Sequence, residues 1–149
     1  MMRMMPRAVL LLFALPAPAA AAGSALTLLK SVTPSGTAWP GTELSYSVVV
    51  TNDSNGPAHA VTLQDQVPAE CDFKLDSIVA QMGATGLVPV IAYSSDNGST
   101  WTYLPMSGAG GAPAGFDGRV TTIRWSLVGV LGNTAPLNQA MVGFMVRIR

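Results

Sequence analysis

The feature that most constrains the fold is a two-residue hydrophobic period in the stretch Pro40–Pro68. In its first run, Glu43–Asn52, one face carries the larger apolar side chains, namely Leu44, Tyr46, Val48 and Val50. This alternation, rich in β-branched residues, predicts a half-buried strand rather than a helix. A second run, Ala58–Asp65, repeats the pattern after the turn-forming DSNGP segment Asp53–Pro57. The stretch therefore predicts two strands, interpreted as the central hairpin or strand pair of a β-sandwich.

Five further segments have strand character: Ala25–Val32, Cys71–Met82, Leu87–Ser94, Val120–Val128 and Ala140–Arg149. The segment Cys71–Met82 also allows a helix, because its later apolar residues fit one helical face. Ser107–Gly118 contains five glycines and no strand pattern, which predicts a long flexible loop. Together these segments predict an all-β, Ig-like antiparallel β-sandwich of about seven or eight strands, with a closed barrel as the alternative. No cysteine pair flanks a tryptophan, so the Ig likeness is one of architecture.

The N-terminus has the features of a secretory signal. Arg3 and Arg7 precede the short apolar run Ala8–Leu15, and small residues follow two helix-breaking prolines. The apolar run is shorter than the roughly 20 residues that cross a bilayer. We therefore expect a cleavable signal peptide at residues 1–22 and one domain at 25–149. The mature chain would have no membrane span and would be secreted, periplasmic or at the cell surface.

Charge and cysteine content exclude some function classes. The chain has eight basic and eight acidic residues, and removing Arg3 and Arg7 leaves six against eight, a net charge of −2. The remaining cations are scattered, whereas nucleic-acid binding needs a basic patch. We therefore expect no nucleic-acid partner. The single cysteine, Cys71, cannot form an internal disulfide, so the core must hold the domain together.

The most specific local motif is S-S-D-N-G-S-T-W at Ser94–Trp101. Its defining positions are Ser94, Asp96, Gly98, Thr100 and Trp101. An aspartate here can accept hydrogen bonds from turn amides, and a glycine supplies a positive φ. The motif resembles the Asp-box of sialidase-like propellers and other secreted β proteins, which implies a structural hairpin rather than a catalytic site. One copy is too few for a propeller, which repeats the motif across blades.

A second resemblance covers roughly residues 26–149. The pattern PG-x4-Y-x5-N followed by D-x-x-P is carried by Pro40, Gly41, Tyr46, Asn52, Asp65 and Pro68. It resembles the conserved-repeat domain of unknown function (number eleven) of bacterial and archaeal surface and secreted proteins. The segments Ile123–Trp125, Gly129–Leu131 and Phe144–Arg149 fit the later part of that pattern. The resemblance implies an Ig-like sandwich in an exported protein, with these residues as turn and core positions.

The residues do not suggest catalysis, a metal or a cofactor. His59 is the only histidine, and the sequence favours a surface position for it and a buried, inert Cys71 over a Cys–His dyad. The acidic residues after the second run lack the spacing of a calcium loop. A Lys30–Asn138 isopeptide bond assisted by Glu43 has the required residue types and stays an open alternative.

These observations predict an exported, non-enzymatic β-sandwich module with a structural or interaction role at the cell envelope. One alternative is a glycan-binding module, in which Tyr93, Trp101 and Tyr103 stack on sugar rings. Another is a surface subunit that self-assembles through exposed strand edges. The expected partners are accordingly envelope proteins, glycans or further copies of the chain.

Overall fold

The computed structural model describes residues 26–149, and this part of the chain is all-β, in two antiparallel sheets. Its strands, numbered in chain order, are β1 (Leu26–Thr33), β2 (Glu43–Asn52), β3 (Ala58–Gln66), β4 (Cys71–Lys74), β5 (Val79–Gln81), β6 (Val88–Ser94), β7 (Phe116–Asp117), β8 (Thr122–Leu131) and β9 (Gln139–Ile148). Two short 3₁₀ turns lie at Gly83–Thr85 and Ala109–Gly111. The predicted signal peptide lies outside the described residues.

The larger sheet has the strand order β1-β2-β9-β4-β7, and β5 also pairs with β9. The smaller sheet has the order β3-β8-β6. Every strand pairing is antiparallel. The two sheets together are compatible with the predicted β-sandwich.

The predicted pairing of the two central runs as a hairpin is wrong. β2 pairs with β1 and β9, whereas β3 pairs with β8 in the other sheet. The turn-rich segment Asp53–Pro57 therefore carries the chain from one sheet to the other. Alternation identifies a half-buried strand, but it does not say which neighbour supplies the hydrogen bonds.

Two other segments differ from their predictions. Cys71–Met82 is neither one strand nor a helix, because Asp76 has a φ of 57° and separates β4 from β5. Both pieces pair with β9. The glycine-rich segment Ser107–Gly118 contains a 3₁₀ turn and β7, which pairs with β4. Hydrogen bonds such as Gly108 N–H to the Phe116 carbonyl, 2.8 Å, give this segment a defined path.

The core lies between the inward faces of the two sheets. Its fully buried large side chains are Val50, Phe73, Ile123, Trp125, Leu127, Leu131, Val142, Phe144 and Val146. The alternating faces of β8 and β9 supply most of them, as the period-two pattern of these strands predicts. Trp125 and Phe144 pack with their ring centroids 6.1 Å apart, which joins the central strands of the two sheets. Within residues 26–149, no helix is long and apolar enough to cross a bilayer.

Candidate functional site

Side-chain hydrogen bonds close the loop that follows β6. Asp96 Oδ1 accepts hydrogen bonds from the Ser94 hydroxyl, 2.6 Å, and the Thr100 amide, 2.8 Å, while Oδ2 accepts one from the Thr100 hydroxyl, 2.7 Å. The Ser94 hydroxyl oxygen accepts the Gly98 amide, 2.8 Å. These hydrogen bonds, led by the one from Ser94, lower the pKa of Asp96 to about 2. The carboxylate is thus used to hold the loop closed.

Trp101 packs back over this loop. Gly98 has a φ of 86°, and a Cβ built on it would lie 3.2 Å from the Trp101 ring. The Arg124 guanidinium lies 4.3 Å from the centroid of a Trp101 ring, within cation–π range. Arg124 projects from the outward face of β8, opposite Ala92 of β6. Trp101 therefore covers part of the outer face of the smaller sheet.

The three aromatic residues suggested for sugar stacking do not share one surface. Tyr93 packs against Phe73, with centroids 5.5 Å apart, and Tyr103 also packs against the core. The Tyr103 hydroxyl donates to Asp117, 2.9 Å. Trp101, in contrast, lies over the outward-facing Arg124. Only Trp101 of the three is placed against the outer face, and sugar binding stays a prediction.

Asp117 organises the second long loop and was not singled out from the sequence. It is fully buried, and its Oδ2 accepts hydrogen bonds from the Tyr103 hydroxyl and from the Met106 amide, 2.7 Å. Its Oδ1 accepts the Arg119 amide, 2.7 Å. A sequence signal does exist, because Asp117 is the only acidic residue in the glycine-rich segment Ser107–Gly118. A single aspartate in such a segment commonly accepts hydrogen bonds from loop amides.

The family-like residues Pro40, Gly41, Tyr46, Asn52, Asp65 and Pro68 are spread over the two sheets and the connections between them. Gly41 has a φ of 90° and donates its amide to the Ile148 carbonyl, 2.7 Å. Tyr46 stacks on Phe144 with ring centroids 5.3 Å apart. The Pro68 carbonyl accepts the Cys71 amide, 2.9 Å. The contacts of Gly41, Tyr46 and Pro68 are those of turn and packing positions.

Asn52 joins the two sheets. Its side-chain amide donates to the carbonyls of Gly56, 3.0 Å, and of Leu131 in β8, 3.1 Å. Its side-chain oxygen accepts hydrogen bonds from the amide and hydroxyl of Ser54. The residue is fully buried, so these hydrogen bonds replace water for every polar atom of its side chain.

Asp65 makes the second polar connection between the sheets. Its Oδ1 lies 2.6 Å from the Lys30 Nζ, although Asp65 is in β3 and Lys30 is in β1 of the other sheet. The Asp65 side chain is 3% exposed, against 26% for Lys30. Glu43 instead pairs with Lys74 at 2.5 Å. The backbone carbonyl of Asn138 accepts a hydrogen bond from the backbone N–H of Asn52. The lysine partner in the structure is therefore Asp65, not the Asn138 and Glu43 of the sequence hypothesis.

The other groups considered for chemistry are far apart or paired. His59 is exposed near the start of β3, whereas Cys71 is buried after its end. Burial raises the pKa of the Cys71 thiol to about 11, which disfavours a reactive thiolate. Asp72 pairs with Arg149 at 2.6 Å. No group of three or more metal-ligating side chains occurs within residues 26–149.

Apolar side chains are exposed on the outer face of the smaller sheet. The valine patch, defined as Val88, Val90, Val128 and Val130, has side chains 44–59% exposed. Val88 lies directly opposite Val128 in the β6–β8 register. A shallow groove beside this patch is lined by residues of β3 and β8, including His59 and Thr62.

Comparison of the chain with protein-family models, curated proteins and solved structures gave no match.

Proposed function

We propose that this chain is an exported, non-enzymatic, Ig-like β-sandwich module that acts through contacts with other components of the cell envelope. The observation that carries the proposal is the valine patch. Clustered exposed apolar side chains on a folded domain mark interaction surfaces more often than isolated ones do. The patch lies on the outer face of a three-stranded antiparallel sheet, which suits binding of a partner rather than chemistry.

The use of the buried polar groups supports a non-enzymatic module. Asn52 and Asp117 are fully buried, and the side chain of each forms hydrogen bonds that hold loops in place. Asp96 is likewise occupied by its own loop. A catalytic carboxylate needs access to a substrate and a matched proton donor or acceptor, which these groups are not arranged to provide.

The export part of the proposal rests on the N-terminal sequence. A basic start, a short apolar run and small residues precede the domain. Expression of the full chain in a bacterial host, followed by fractionation and intact-mass measurement, tests it. We expect an envelope or secreted protein that lacks the first 20 to 22 residues. An unprocessed cytoplasmic protein would overturn this part.

The interaction part is tested on the same fractions. The double variant Val90→Lys with Val128→Lys places two charges in the valine patch, and Gln64→Lys, on the outward face of β3, is the matched control. We expect chemical cross-linking to capture the wild type and Gln64→Lys in envelope complexes but not the double variant. Equal capture of all three, with equal thermal stability, would remove the patch from the proposal. Hydrolysis of glycosides, esters or peptides that His59→Ala abolishes would overturn the non-enzymatic assignment.

Self-association is a second candidate, favoured by the same patch and by the edge position of β6. Pro89 lies within β6 and lacks an amide donor, so strand-to-strand extension is hindered at that point. Association would therefore use the sheet face. Sedimentation over a range of concentrations distinguishes the candidates, because self-association raises the mass of the purified wild type and not of the Val90→Lys, Val128→Lys variant.

A further inference from the structure

The Lys30–Asp65 pair brings an amine and a carboxyl group together inside the sandwich. The distance from Nζ to Oδ1 is 2.6 Å, and the two residues are separated by 35 positions in the chain. β1 and β3 belong to different sheets, so the pair spans the space between the layers. Lys30 lies within β1 and Asp65 within β3, so the packing of the two sheets places the amine next to the carboxyl group.

The surroundings of the Asp65 carboxylate disfavour its charge. The Asp65 side chain is almost completely buried, whereas Lys30 is partly exposed and its ammonium has a cation–π contact with the Tyr46 ring, 4.8 Å from Nζ. Burial raises the pKa of Asp65, although the hydrogen bond and charge of Lys30 act in the opposite direction. Within residues 26–149, Asp65 Oδ2 accepts no hydrogen bond. A buried carboxylate oxygen without a donor is costly, and neutralising the group relieves that cost.

We propose that Lys30 and Asp65 form an intramolecular isopeptide bond. A proton passes from the Lys30 ammonium to the Asp65 carboxylate, which leaves a neutral amine beside a neutral carboxyl group. Nζ then attacks Cγ and the C–N bond forms. A C–O bond breaks, and the carboxyl oxygen leaves as one water that carries two protons, both originally on the Lys30 ammonium. The product is a neutral secondary amide, and the step requires no oxidant, reductant or co-reactant.

A second lysine–carboxylate pair in the same chain shows why burial matters. Lys74 Nζ and Glu43 Oε2 are 2.5 Å apart, but their side chains are 36% and 38% exposed. Water solvates both charges there, so an exposed pair of this kind gains little by condensing to a neutral amide. The bond is therefore expected only at Lys30–Asp65, where it would tie the edge strand β1 to the smaller sheet.

Intact-mass measurement of the exported full-length product tests the proposal. The N-terminal peptide defines the mature start, and the wild-type mass is expected to be one water below the sequence mass. Cleavage after Glu43 and Glu70 then places Lys30 and Asp65 on different peptides. These peptides are expected to stay joined. A wild type of full sequence mass with separate peptides would overturn the proposal, whatever the folding of any variant.

Three variants distinguish this bond from other losses of water, such as cyclisation at Asp117–Gly118. Lys30→Arg is expected to restore the full mass, whereas a loss elsewhere would persist in it. Asp65→Asn is expected to form the same link with loss of ammonia instead of water, because the side-chain amide nitrogen is then the leaving group. Lys74→Arg is the matched control and is expected to keep the linked peptides. Loss of the link in Lys74→Arg would show that Lys74, and not Lys30, forms the bond, and would overturn the proposal.

Discussion

The loops that follow β2 and β6 are closed by the same kind of chemistry but in different surroundings. In the first, Asn52 binds the Ser54 amide and the Gly56 carbonyl; in the second, Asp96 binds the Thr100 amide. Asn52 is fully buried and also reaches Leu131 in the other sheet, whereas Asp96 is exposed and its side-chain hydrogen bonds stay within its own loop. Asn52 therefore belongs to the core although its loop is partly exposed, whereas the Asp96 loop closes at the surface, where the Asn97 amide also donates to the Thr121 hydroxyl, 2.9 Å.

The difference shows that burial, rather than the number of hydrogen bonds, determines what such a residue contributes. Water can replace a lost partner in an exposed loop, so the net value of each hydrogen bond is small. At a buried position such as Asn52, water cannot replace the lost partner, and the full desolvation cost of the unpaired group lowers the stability. Substitutions in the two loops should therefore lower the free energy of unfolding by different amounts.

The largest effect is expected for Asn52→Ala. This change removes the buried side-chain donor of the Leu131 carbonyl and one of the two donors of the Gly56 carbonyl, which should lower the free energy of unfolding by about 3 kcal/mol. Urea denaturation measures the change. Asn133→Ala is the control, because Asn133 donates only one long hydrogen bond, 3.4 Å, to Ser54 of the same loop. A loss below about 1 kcal/mol for Asn52→Ala would remove the distinction between the loops.

A smaller effect is expected for Gly98→Ala in the exposed loop. The added Cβ would meet the Trp101 ring at 3.2 Å, and a φ of 86° is unfavourable for alanine, so we expect a loss of about 1 to 2 kcal/mol. Gly56→Ala in the loop after β2 is the matched control. Its φ is not positive and its Cβ meets nothing within 4 Å. Equal thermal stability of both variants would show that the Asp96 loop is not held in this conformation.

Acid should affect the exposed loop through Asp96. Its folded-state pKa of about 2 lies below the ordinary 3.8, so the folded form binds fewer protons between these values. The contribution of Asp96 to stability is then present above about pH 4 and is lost as the pH falls towards 2. Thermal melting of the wild type and Asp96→Asn from pH 2 to 6 should converge at the acid end. A constant difference between them would contradict the assignment.

The smallest effect is expected for the contact of Arg124 with Trp101. A cation–π pair at an accessible site contributes about 0.5 to 1 kcal/mol. A double-mutant cycle with Arg124→Met and Trp101→Leu isolates it from the packing of the arginine stem. A coupling energy near zero would mean that Trp101 is held by Gly98 and the loop alone.

Much of the local structure could be predicted from residue patterns. The alternation in Glu43–Asn52 and Ala140–Arg149 matches β2 and β9, because a half-buried strand needs a regular apolar face. The spacing of Ser94, Asp96 and Thr100 predicted a closed turn, since every partner lies within a few residues. Asp76 and its positive φ gave no such signal, so the break between β4 and β5 was missed.

Long-range pairing could not be predicted in the same way. The strand runs of β2 and β3 are adjacent in the chain and look like a hairpin, but they join different sheets. Asp117 was not singled out because its partners, Tyr103 and Met106, are recruited by the path of a loop rather than by a motif. Lys30 was matched with Asn138 and Glu43 rather than with Asp65, because the sequence does not show which side chains of the two sheets come together.

The sequence by itself determined the longer strands such as β2 and β9, the inward faces of these strands and how the Asp96 loop closes, because these depend on neighbours a few positions away. Only the tertiary structure decided that Asn52 and Asp65 each connect the two sheets. Their partners, Leu131 and Lys30, come from distant parts of the chain. The physical reason is that burial, which makes these polar contacts strong, exists only after the two sheets have packed.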